Sequence, residues 1–207
     1  MLRGTATGFM KKVGIYAGSF DPIHKGHIAL AEQAIQQCGL DKVFFMVEPR
    51  PRRKQGVKAL EHRVAMVKLC VHDNPKFGVI VLDQARFTVA DTLPILLARF
   101  AGTGLNMIIG DDVLGRMMDW SHINEMLVAT RLIIGTRKRS SASIQDAIHT
   151  FQQTTGCKVN FDLIFCGANN ISSTKVRQQL RRGQVTNDID SKVLQYIQSN
   201  GLYSAAA

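Results

Sequence analysis

The chain has 207 residues, of which 45% are hydrophobic and 20% charged, as is typical of one globular domain of ordinary size. No apolar run approaches the ~20 residues that cross a bilayer, and the first residues lack the apolar core and cleavage pattern of a signal peptide. The formal net charge of +10 favours polyanionic partners (nucleotides, nucleic acid or an acidic surface) without choosing among them.

Apolar runs and helix-periodic patterns alternate along the chain, joined by short connections. Six runs predict strands, at residues 13–17, 43–47, 79–82, 106–109, 132–134 and 159–165. Eight patterns predict helices, at residues 28–38, 60–71, 91–100, 111–118, 122–127, 144–151, 172–182 and 189–197. This alternation predicts an α/β fold: a doubly wound, mostly parallel sheet with helices on both faces and a helical C-terminus.

One domain is expected over residues 13–203, preceded by a disordered extension over 1–12 and followed by a frayed tail over 204–207. The four cysteines are far apart and form no CxxC pair: Cys38, Cys70, Cys157 and Cys166. Without a secretory signal, such spacing favours reduced thiols in a cytoplasmic protein over a structural zinc site.

The most informative segment is residues 18–27, Gly-Ser-Phe-Asp-Pro-Ile-His-Lys-Gly-His, directly after the first predicted strand. Gly18 allows unusual backbone angles, so that a phosphate can approach the backbone N–H groups that follow. The imidazoles of His24 and His27 and a helix N-terminus would converge on the same negative charge. The segment therefore predicts a polyphosphate site rather than a metal site. Six of its residues are predicted to bind ATP: Gly18, Ser19, Phe20, His24, Gly26 and His27.

A second segment, residues 171–177, reads Ile-Ser-Ser-Thr-Lys-Val-Arg and begins a late predicted helix. Its hydroxyls and backbone N–H groups lie at a helix N-terminus, and Arg177 follows one turn later on the same face. This arrangement suits a terminal diphosphate, although an ordinary Ser/Thr cap with a surface arginine is the alternative. The residues predicted to contact ATP here are Ile171, Ser172, Ser173, Thr174 and Arg177.

The two segments resemble the HxGH and ISSTxxR signatures of the nucleotidylyltransferase superfamily, which has a Rossmann-like fold. The whole chain further resembles the bacterial nicotinate-nucleotide adenylyltransferases. Smaller matches carry this second resemblance: Arg63 with Met66, Asp91-Thr92-Leu93, Gly110-Asp111-Asp112 with Trp120 eight residues later, Tyr196-Ile197, and Leu202-Tyr203. The resemblance implies adenylyl transfer from ATP to the 5′-phosphate of a pyridine mononucleotide, nicotinate mononucleotide being favoured, with release of pyrophosphate in NAD biosynthesis.

The resemblance also implies a role for each residue. His24, His27, Arg177 and Lys54 would be catalytic, and Arg137 would face the adenosine of ATP. Trp120 would stack on the pyridine ring, because a large electron-rich indole suits a cationic ring. The residues expected to bind the acceptor substrate are Asp21, Lys54, Thr88, Asp91, Thr92, Gly110, Asp112 and Trp120. Mg²⁺ would arrive with ATP, since no carboxylate cluster is evident.

Two strings depart from the family pattern. Residues 49–54 read Pro-Arg-Pro-Arg-Arg-Lys in place of a Pro-Pro-His-Lys loop, so that only Lys54 carries over. Residues 87–93 read Phe-Thr-Val-Ala-Asp-Thr-Leu in place of Ser-Tyr-Thr-x-Asp-Thr-Leu, whose Tyr-Thr part lies at the nicotinate carboxylate. The acceptor therefore stays open between nicotinate mononucleotide, nicotinamide mononucleotide and another mononucleotide.

Two alternatives from other classes remain at this point. One is the same superfamily reaction on a phosphopantetheine-like acceptor, or with CTP as donor. The other is a non-catalytic protein that binds nucleotides or nucleic acid through its positive charge. Nucleic acid is the less favoured partner, because no exposed aromatic residues are interleaved with the basic runs. No membrane partner is expected, and a homo-oligomer is compatible with the sequence.

Overall fold

Six parallel strands form one sheet in the computed structural model, which describes residues 11–51, 55–136, 140–165 and 171–204. The strand order is β3-β2-β1-β4-β5-β6. The strands are β1 (Lys12–Gly18), β2 (Lys42–Val47), β3 (Phe77–Val81), β4 (Gly104–Gly110), β5 (Arg131–Thr136) and β6 (Phe161–Phe165). The predicted doubly wound parallel sheet is therefore confirmed.

Helices cover both faces of this sheet. Those in the described ranges are α1 (Lys25–Cys38), α2 (Leu60–Val71), α3 (Val89–Arg99), α4 (Asp111–Met117), α5 (Ile123–Ala129), α6 (Ser141–Thr155), α7 (Ser173–Arg181) and α8 (Ser191–Ser199). Side chains alternate across each strand, so that Tyr16 and Ile108 pack with α1, α2, α7 and α8. Ile15 and Met107 pack with the remaining helices on the opposite face. Both faces of the sheet are thus buried, as continuous apolar strands require.

The starts of α1 and α3 differ from the sequence prediction by three and two residues. Helix α3 begins at Val89 rather than Asp91, because the Thr88 side chain accepts the Asp91 N–H and caps the helix two residues earlier. Helix α1 begins at Lys25, before the first apolar residue of its pattern. Hydrophobic periodicity does not register the polar first turn of α1. At α3 the prediction began the helix at Asp91, whereas the cap is Thr88.

The predicted extension over residues 1–12 is too long by at least one residue, because Lys12 belongs to a strand. Strand β1 already begins at Lys12, while residues 1–10 of the predicted extension and 205–207 of the predicted tail lie outside the described residues. In the part of the chain that the structure describes, no helix has the length and apolar character needed to cross a bilayer.

The strand order reverses between β1 and β4. The chain runs outward from β1 through β2 to β3, then returns to the other side of β1 and runs outward again from β4 to β6. Tyr16 consequently pairs with Phe45 on one side and Ile108 on the other. Ligands of doubly wound sheets bind at such a reversal, outside the carboxyl ends of the strands. A cleft of about 400 Å³ opens at this place.

Candidate functional site

Two histidines lie at the start of α1, directly behind the loop that follows β1. His24 is the N-cap residue of α1, and its backbone N–H donates to Nδ1 of His27 at 3.2 Å. Because Nδ1 accepts this bond, the neutral His27 ring carries its proton on Nε2 and can donate from that atom. The two imidazoles stack with their ring centroids 3.6 Å apart. The start of α1 therefore holds two stacked imidazoles near the carboxyl end of β1, of which His27 lines the cleft and His24 is buried.

Close packing explains the two glycines of this loop. A Cβ on Gly26 would lie 3.1 Å from Nδ1 of His24, so a larger residue would displace that imidazole. A Cβ on Gly18 would lie 3.1 Å from the ring of Phe20. The unusual backbone conformation expected at Gly18 occurs instead at Phe20, whose φ is 46°. The sequence therefore placed the unusual conformation two residues too early, because the chain reverses at Phe20 and not at the last residue of β1.

Aromatic rings surround His27 on its inner side. Tyr16 and Phe20 meet the imidazole edge to face, with centroid separations of 5.9 and 5.1 Å, and their own rings are 5.5 Å apart. Such contacts restrict rotation of the imidazole. Together with the bond to His24, they fix the direction in which the Nε2 atom of His27 points.

The segment that begins α7 contacts the loop after β1. Ser172 caps α7 by accepting the Lys175 N–H, and Ser173 Oγ donates to the carbonyl of Pro22 at 3.0 Å. Arg177 donates from one guanidinium nitrogen to the main-chain oxygen of Asp21 at 2.7 Å. These partners are separated by 151 and 156 residues in sequence. The expected meeting of the two motif segments is therefore confirmed, while their contacts with ATP stay a prediction.

The buried guanidinium of Arg63 joins the loops that follow β1 and β2. It donates to the carbonyl oxygens of Ser19, Glu48, Pro49 and Lys58 at distances of 2.8–2.9 Å. Burial lowers the pKa of Arg63 below its ordinary value, and the nearby carboxylate of Asp21 opposes this shift. A guanidinium keeps its charge in proteins and offers five N–H donors. Arg63 can therefore hold four carbonyls from separate segments in one arrangement.

The carboxylate of Asp21 is directed at protein groups. Asp21 is only 4% exposed, and its Oδ1 accepts from the Tyr203 hydroxyl at 2.5 Å and from the backbone N–H of Lys58 at 3.3 Å. Its other oxygen lies 3.9 Å from Arg177. The carboxylate of Asp21 is therefore enclosed by protein groups, and the expected contact between Asp21 and the acceptor stays a prediction.

The cleft at the strand reversal collects predicted residues from five parts of the chain. They come from the ends of β1 and β4, the start of α1, helix α4 with its following turn, and the start of α7. The predicted residues that line it are Gly18, Ser19, Phe20, His27, Gly110, Asp112, Trp120 and Ser173. Thus some residues assigned to ATP and some assigned to the acceptor share one cavity. Six of the described residues assigned to ATP do not line it: His24, Gly26, Ile171, Ser172, Thr174 and Arg177.

Trp120 lies between this cleft and a second, smaller cavity of about 280 Å³. Its ring is 5.7 Å from that of Phe87, the planes being inclined by 44°. Thr88 and Asp91 line the smaller cavity and hydrogen bond to each other at 2.6 Å. Thr92 is instead fully buried, and its Oγ1 accepts the Thr88 N–H. Of this string, therefore, Thr88 and Asp91 remain accessible to a ligand, whereas Thr92 holds the helix start.

The turn from β4 into α4 carries two adjacent aspartates with opposite exposure. Asp111 is buried, whereas Asp112 lies on the cleft with an exposed side chain that forms a 3.8 Å ion pair with Arg116. A Cβ on Gly110 would be only 2.6 Å from Oδ1 of Asp112, so the glycine allows this carboxylate to fold over the strand end. The predicted residue of the pair, Asp112, is thus the one that a ligand can reach.

Two predicted cations, Lys54 and Arg137, lie outside the described residues. Within the described ranges, no group of three or more His, Cys, Asp or Glu side chains could hold a metal ion.

Three residues at or near the site received no role from the sequence. Glu48 lines the cleft, and its carboxylate accepts the Phe87 N–H at 3.1 Å, which ties the end of β2 to the loop before α3. Its place directly after a predicted strand was a usable signal. Arg63 and Tyr203 matched family strings, but nothing in their local sequence indicates what they contact.

Comparison with known proteins agrees with this geometry. Residues 15–179 match the cytidylyltransferase-like family. A nicotinate-nucleotide adenylyltransferase of Bacillus subtilis (strain 168) is 31% identical over 205 residues, which cover 95% of this chain and all of that protein.

Two solved structures share the fold. They are Plasmodium falciparum nicotinic acid mononucleotide adenylyltransferase complexed with NaAD, with a TM-score of 0.77 and 19% identity, and the same enzyme complexed with APC, with a TM-score of 0.75 and 18% identity. Each match covers 93% of this chain and 97% of the other. The chain therefore belongs to the cytidylyltransferase-like family and, within it, to the nicotinate-nucleotide adenylyltransferases.

Proposed function

We propose that this protein transfers the adenylyl group of ATP to the 5′-phosphate of nicotinate mononucleotide, giving the dinucleotide and pyrophosphate in NAD biosynthesis. The observation that carries the proposal is the contact between residues 18–27 and residues 171–177 beside the cleft at the strand reversal. One cavity thus borders His27 and Ser173, which are proposed to bind phosphate, and the indole of Trp120.

The reaction is an in-line displacement at the α-phosphorus of ATP. An oxygen of the acceptor phosphate forms the new P–O bond, the bond from the α-phosphorus to the bridging oxygen breaks, and pyrophosphate leaves with that electron pair. Because the acceptor phosphate is already an anion at neutral pH, no strong base is required. The protein has to position the reactants and stabilise charge on the phosphoryl oxygens.

His24 and His27 would donate hydrogen bonds to the α- and β-phosphates. Support for this assignment comes from His27, which lines the cleft and whose neutral ring carries its proton on Nε2. The His24 ring stacks on that of His27, so the two imidazoles are held together. Donors held in place before the reaction need no reorganisation as charge develops, which is the main source of their catalytic effect.

Arg177 and the first turn of α7 would hold the leaving pyrophosphate. The Arg177 guanidinium is oriented by the carbonyl of Asp21 and by the Thr174 hydroxyl, which accepts from it at 3.3 Å. Since that hydroxyl accepts from Arg177, its own proton remains available to a phosphate oxygen. Ser172 and Ser173 bring backbone N–H groups at the positive end of the helix.

The acceptor would lie on the Trp120 side of the cleft. Its pyridine ring would stack on the indole, and the substituent of the ring would reach the smaller cavity beside Thr88 and Asp91. Lys54 is proposed to neutralise the acceptor phosphate, and Arg137 to face the adenosine. Mg²⁺ would enter with ATP and neutralise phosphate charge. The enzyme is proposed to act in the cytoplasm, where ATP is abundant.

A pyrophosphate-release assay tests the proposal. The purified protein is supplied with ATP and Mg²⁺ and with one acceptor at a time: nicotinate mononucleotide, nicotinamide mononucleotide or phosphopantetheine. The expected result is release with nicotinate mononucleotide at a higher kcat/KM than with either other acceptor. CTP in place of ATP provides the donor control. Turnover of phosphopantetheine alone, or of none of the three acceptors, would contradict the named reaction.

A further inference from the structure

The hydroxyl of Tyr203 ties the end of the described chain to the loop after β1. Tyr203 follows α8, is only 3% exposed and has a φ of 59°. Its O–H donates to Oδ1 of Asp21 at 2.5 Å. Burial, and then the hydrogen bond to Asp21, raises the pKa of the Tyr203 phenol above its ordinary value. The phenol therefore stays protonated, and remains a donor, throughout the neutral range.

The Asp21 carboxylate has two guanidinium groups in its neighbourhood. Arg177 Nη1 lies 3.9 Å from Oδ2, too far for a hydrogen bond, and donates instead to the Asp21 main-chain oxygen at 2.7 Å. The carboxylate of Asp21 also acts on the charge of Arg63, but four of the five N–H donors of Arg63 are occupied by carbonyl oxygens. Arg177 is thus the cation with which a freed carboxylate would pair.

We propose that Tyr203 is a positioning residue for the adenylyl-transfer reaction. By binding Oδ1, its hydroxyl holds the Asp21 carboxylate away from the Arg177 guanidinium, which is then available to the departing pyrophosphate. A carboxylate and a guanidinium that are free to meet form a short, bidentate, charge-assisted pair, which would compete with phosphate for the same N–H donors. This inference rests on the proposed function, which gives Arg177 its phosphate ligand.

The test is the variant Tyr203→Phe, which removes one hydroxyl and keeps the ring. The control is Tyr196→Phe on α8, which loses a comparable hydroxyl bonded to Nδ1 of His62 at 2.9 Å and has no contact with Asp21 or Arg177 among those described. Steady-state pyrophosphate release gives kcat and the KM for ATP, and product inhibition gives the Ki of inorganic pyrophosphate. Thermal unfolding confirms that each variant is folded.

For Tyr203→Phe we expect the KM for ATP and the Ki of pyrophosphate each to rise about tenfold. A tenfold rise corresponds to the loss of one modest interaction between the protein and the phosphates. The expected change in kcat is less than about threefold, because the histidine donors are untouched. Tyr196→Phe should keep the wild-type KM for ATP, even if its thermal stability falls as far as that of Tyr203→Phe. A Tyr203→Phe enzyme with wild-type values of both constants would overturn the proposal.

A second pair of variants separates restraint of the carboxylate from a purely structural role. Asp21→Asn removes the charge that would compete for Arg177, and Tyr203→Phe is then introduced into that background. If the hydroxyl acts through the carboxylate, its removal there should raise the KM for ATP less than about twofold. An equal rise in both backgrounds would overturn the proposal. Wild-type turnover is measured in the same assay, so failure of the adenylyl-transfer function itself would be seen separately.

Discussion

The imidazoles of His24 and His27 lie face to face, with centroids 3.6 Å apart and planes inclined by 25°. The backbone N–H of His24 bonds to Nδ1 of His27, so the pair is held by both a ring contact and a directional hydrogen bond. Because Nδ1 of His27 is used internally, its Nε2 is the atom that can serve a substrate.

This relationship predicts different outcomes for two replacements of His27. His27→Asn keeps a polar atom near the Nδ1 position but has none near Nε2, and should lower kcat by about 10²–10³-fold, as for removal of one oxyanion donor. His27→Gln places an amide near Nε2 and should retain more activity. Pyrophosphate release measures both. His149→Asn, on the exposed surface of α6, is the control and should keep wild-type kcat. Equal kcat for the two His27 variants would contradict the Nε2 assignment.

The packing at Gly26 predicts a loss of activity from a single methyl group. In Gly26→Ala the new Cβ would stand 3.1 Å from Nδ1 and 3.2 Å from Cε1 of His24, so the imidazole must move. We expect kcat to fall by about 10²-fold, as for other small misplacements of catalytic groups.

The matched control is Gly115→Ala in α4, where a Cβ would meet no atom within 4 Å. That variant should keep its activity and gain up to about 1 kcal/mol of unfolding free energy, because alanine favours a helix over glycine. Loss of activity in both variants would show that the effect does not come from the contact with His24.

Arg63→Lys should destabilise the protein although it conserves the charge. Lysine carries three donors on one atom and cannot reach four carbonyls that a planar guanidinium spans. Buried carbonyls left without a donor cost about 1–3 kcal/mol each, so the unfolding free energy should fall by about 2–4 kcal/mol. Urea denaturation measures this free energy of unfolding. Arg181→Lys, on the exposed surface of α7, should change it by less than about 0.5 kcal/mol. A similar small change for Arg63→Lys would mean that the carbonyls find other donors.

Trp120→Ala should weaken binding of the mononucleotide and leave ATP binding nearly unchanged. Stacking of a base on an aromatic side chain contributes about 1–3 kcal/mol, so the KM for the mononucleotide should rise by about 10–100-fold. The KM for ATP in the same variant is the internal control. A parallel rise of both constants would indicate a packing role for Trp120 beside Phe87.

The ion pair of Arg131 and Asp162 predicts a pH-dependent part of the stability. Arg131 donates to both carboxylate oxygens, at 2.5 and 2.7 Å, and this hydrogen bonding holds the pKa of Asp162 below its ordinary value. A lowered carboxyl pKa adds stability that is fully present above the unfolded value of about 3.9 and is lost as the pH falls through the folded value.

Arg131→Gln should therefore lower the unfolding free energy at pH 7, by no more than about 1 kcal/mol because the pair is partly exposed. When urea denaturation is repeated, the difference between the variant and the wild type should be the same at pH 5 as at pH 7 and should shrink at pH 3, below the unfolded pKa of about 3.9. A difference that stays constant over this range would show that the pair does not act through protonation of Asp162.

The order and type of the elements were accessible from the sequence because they depend on local patterns. Continuously apolar runs such as residues 43–47 can be buried only inside a covered parallel sheet, and strand β2 occupies those residues and Lys42. A phosphate site could also be predicted from the two motif segments, since imidazole, hydroxyl and guanidinium groups at helix starts favour anions. Local patterns failed at two helix starts: they missed the polar first turn of α1 and the cap that Thr88 provides for α3.

The sequence by itself determined a doubly wound sheet and a nucleotide site at its strand ends, because periodicity and motif chemistry involve residues that are close in the chain. Only the tertiary structure decided that Asp21 is enclosed by Tyr203 and Lys58, that Arg63 spans two loops, and that Asp112 rather than Asp111 borders the cleft. Each of these outcomes depends on which side chains packing brings together across long stretches of sequence, and no local pattern records that.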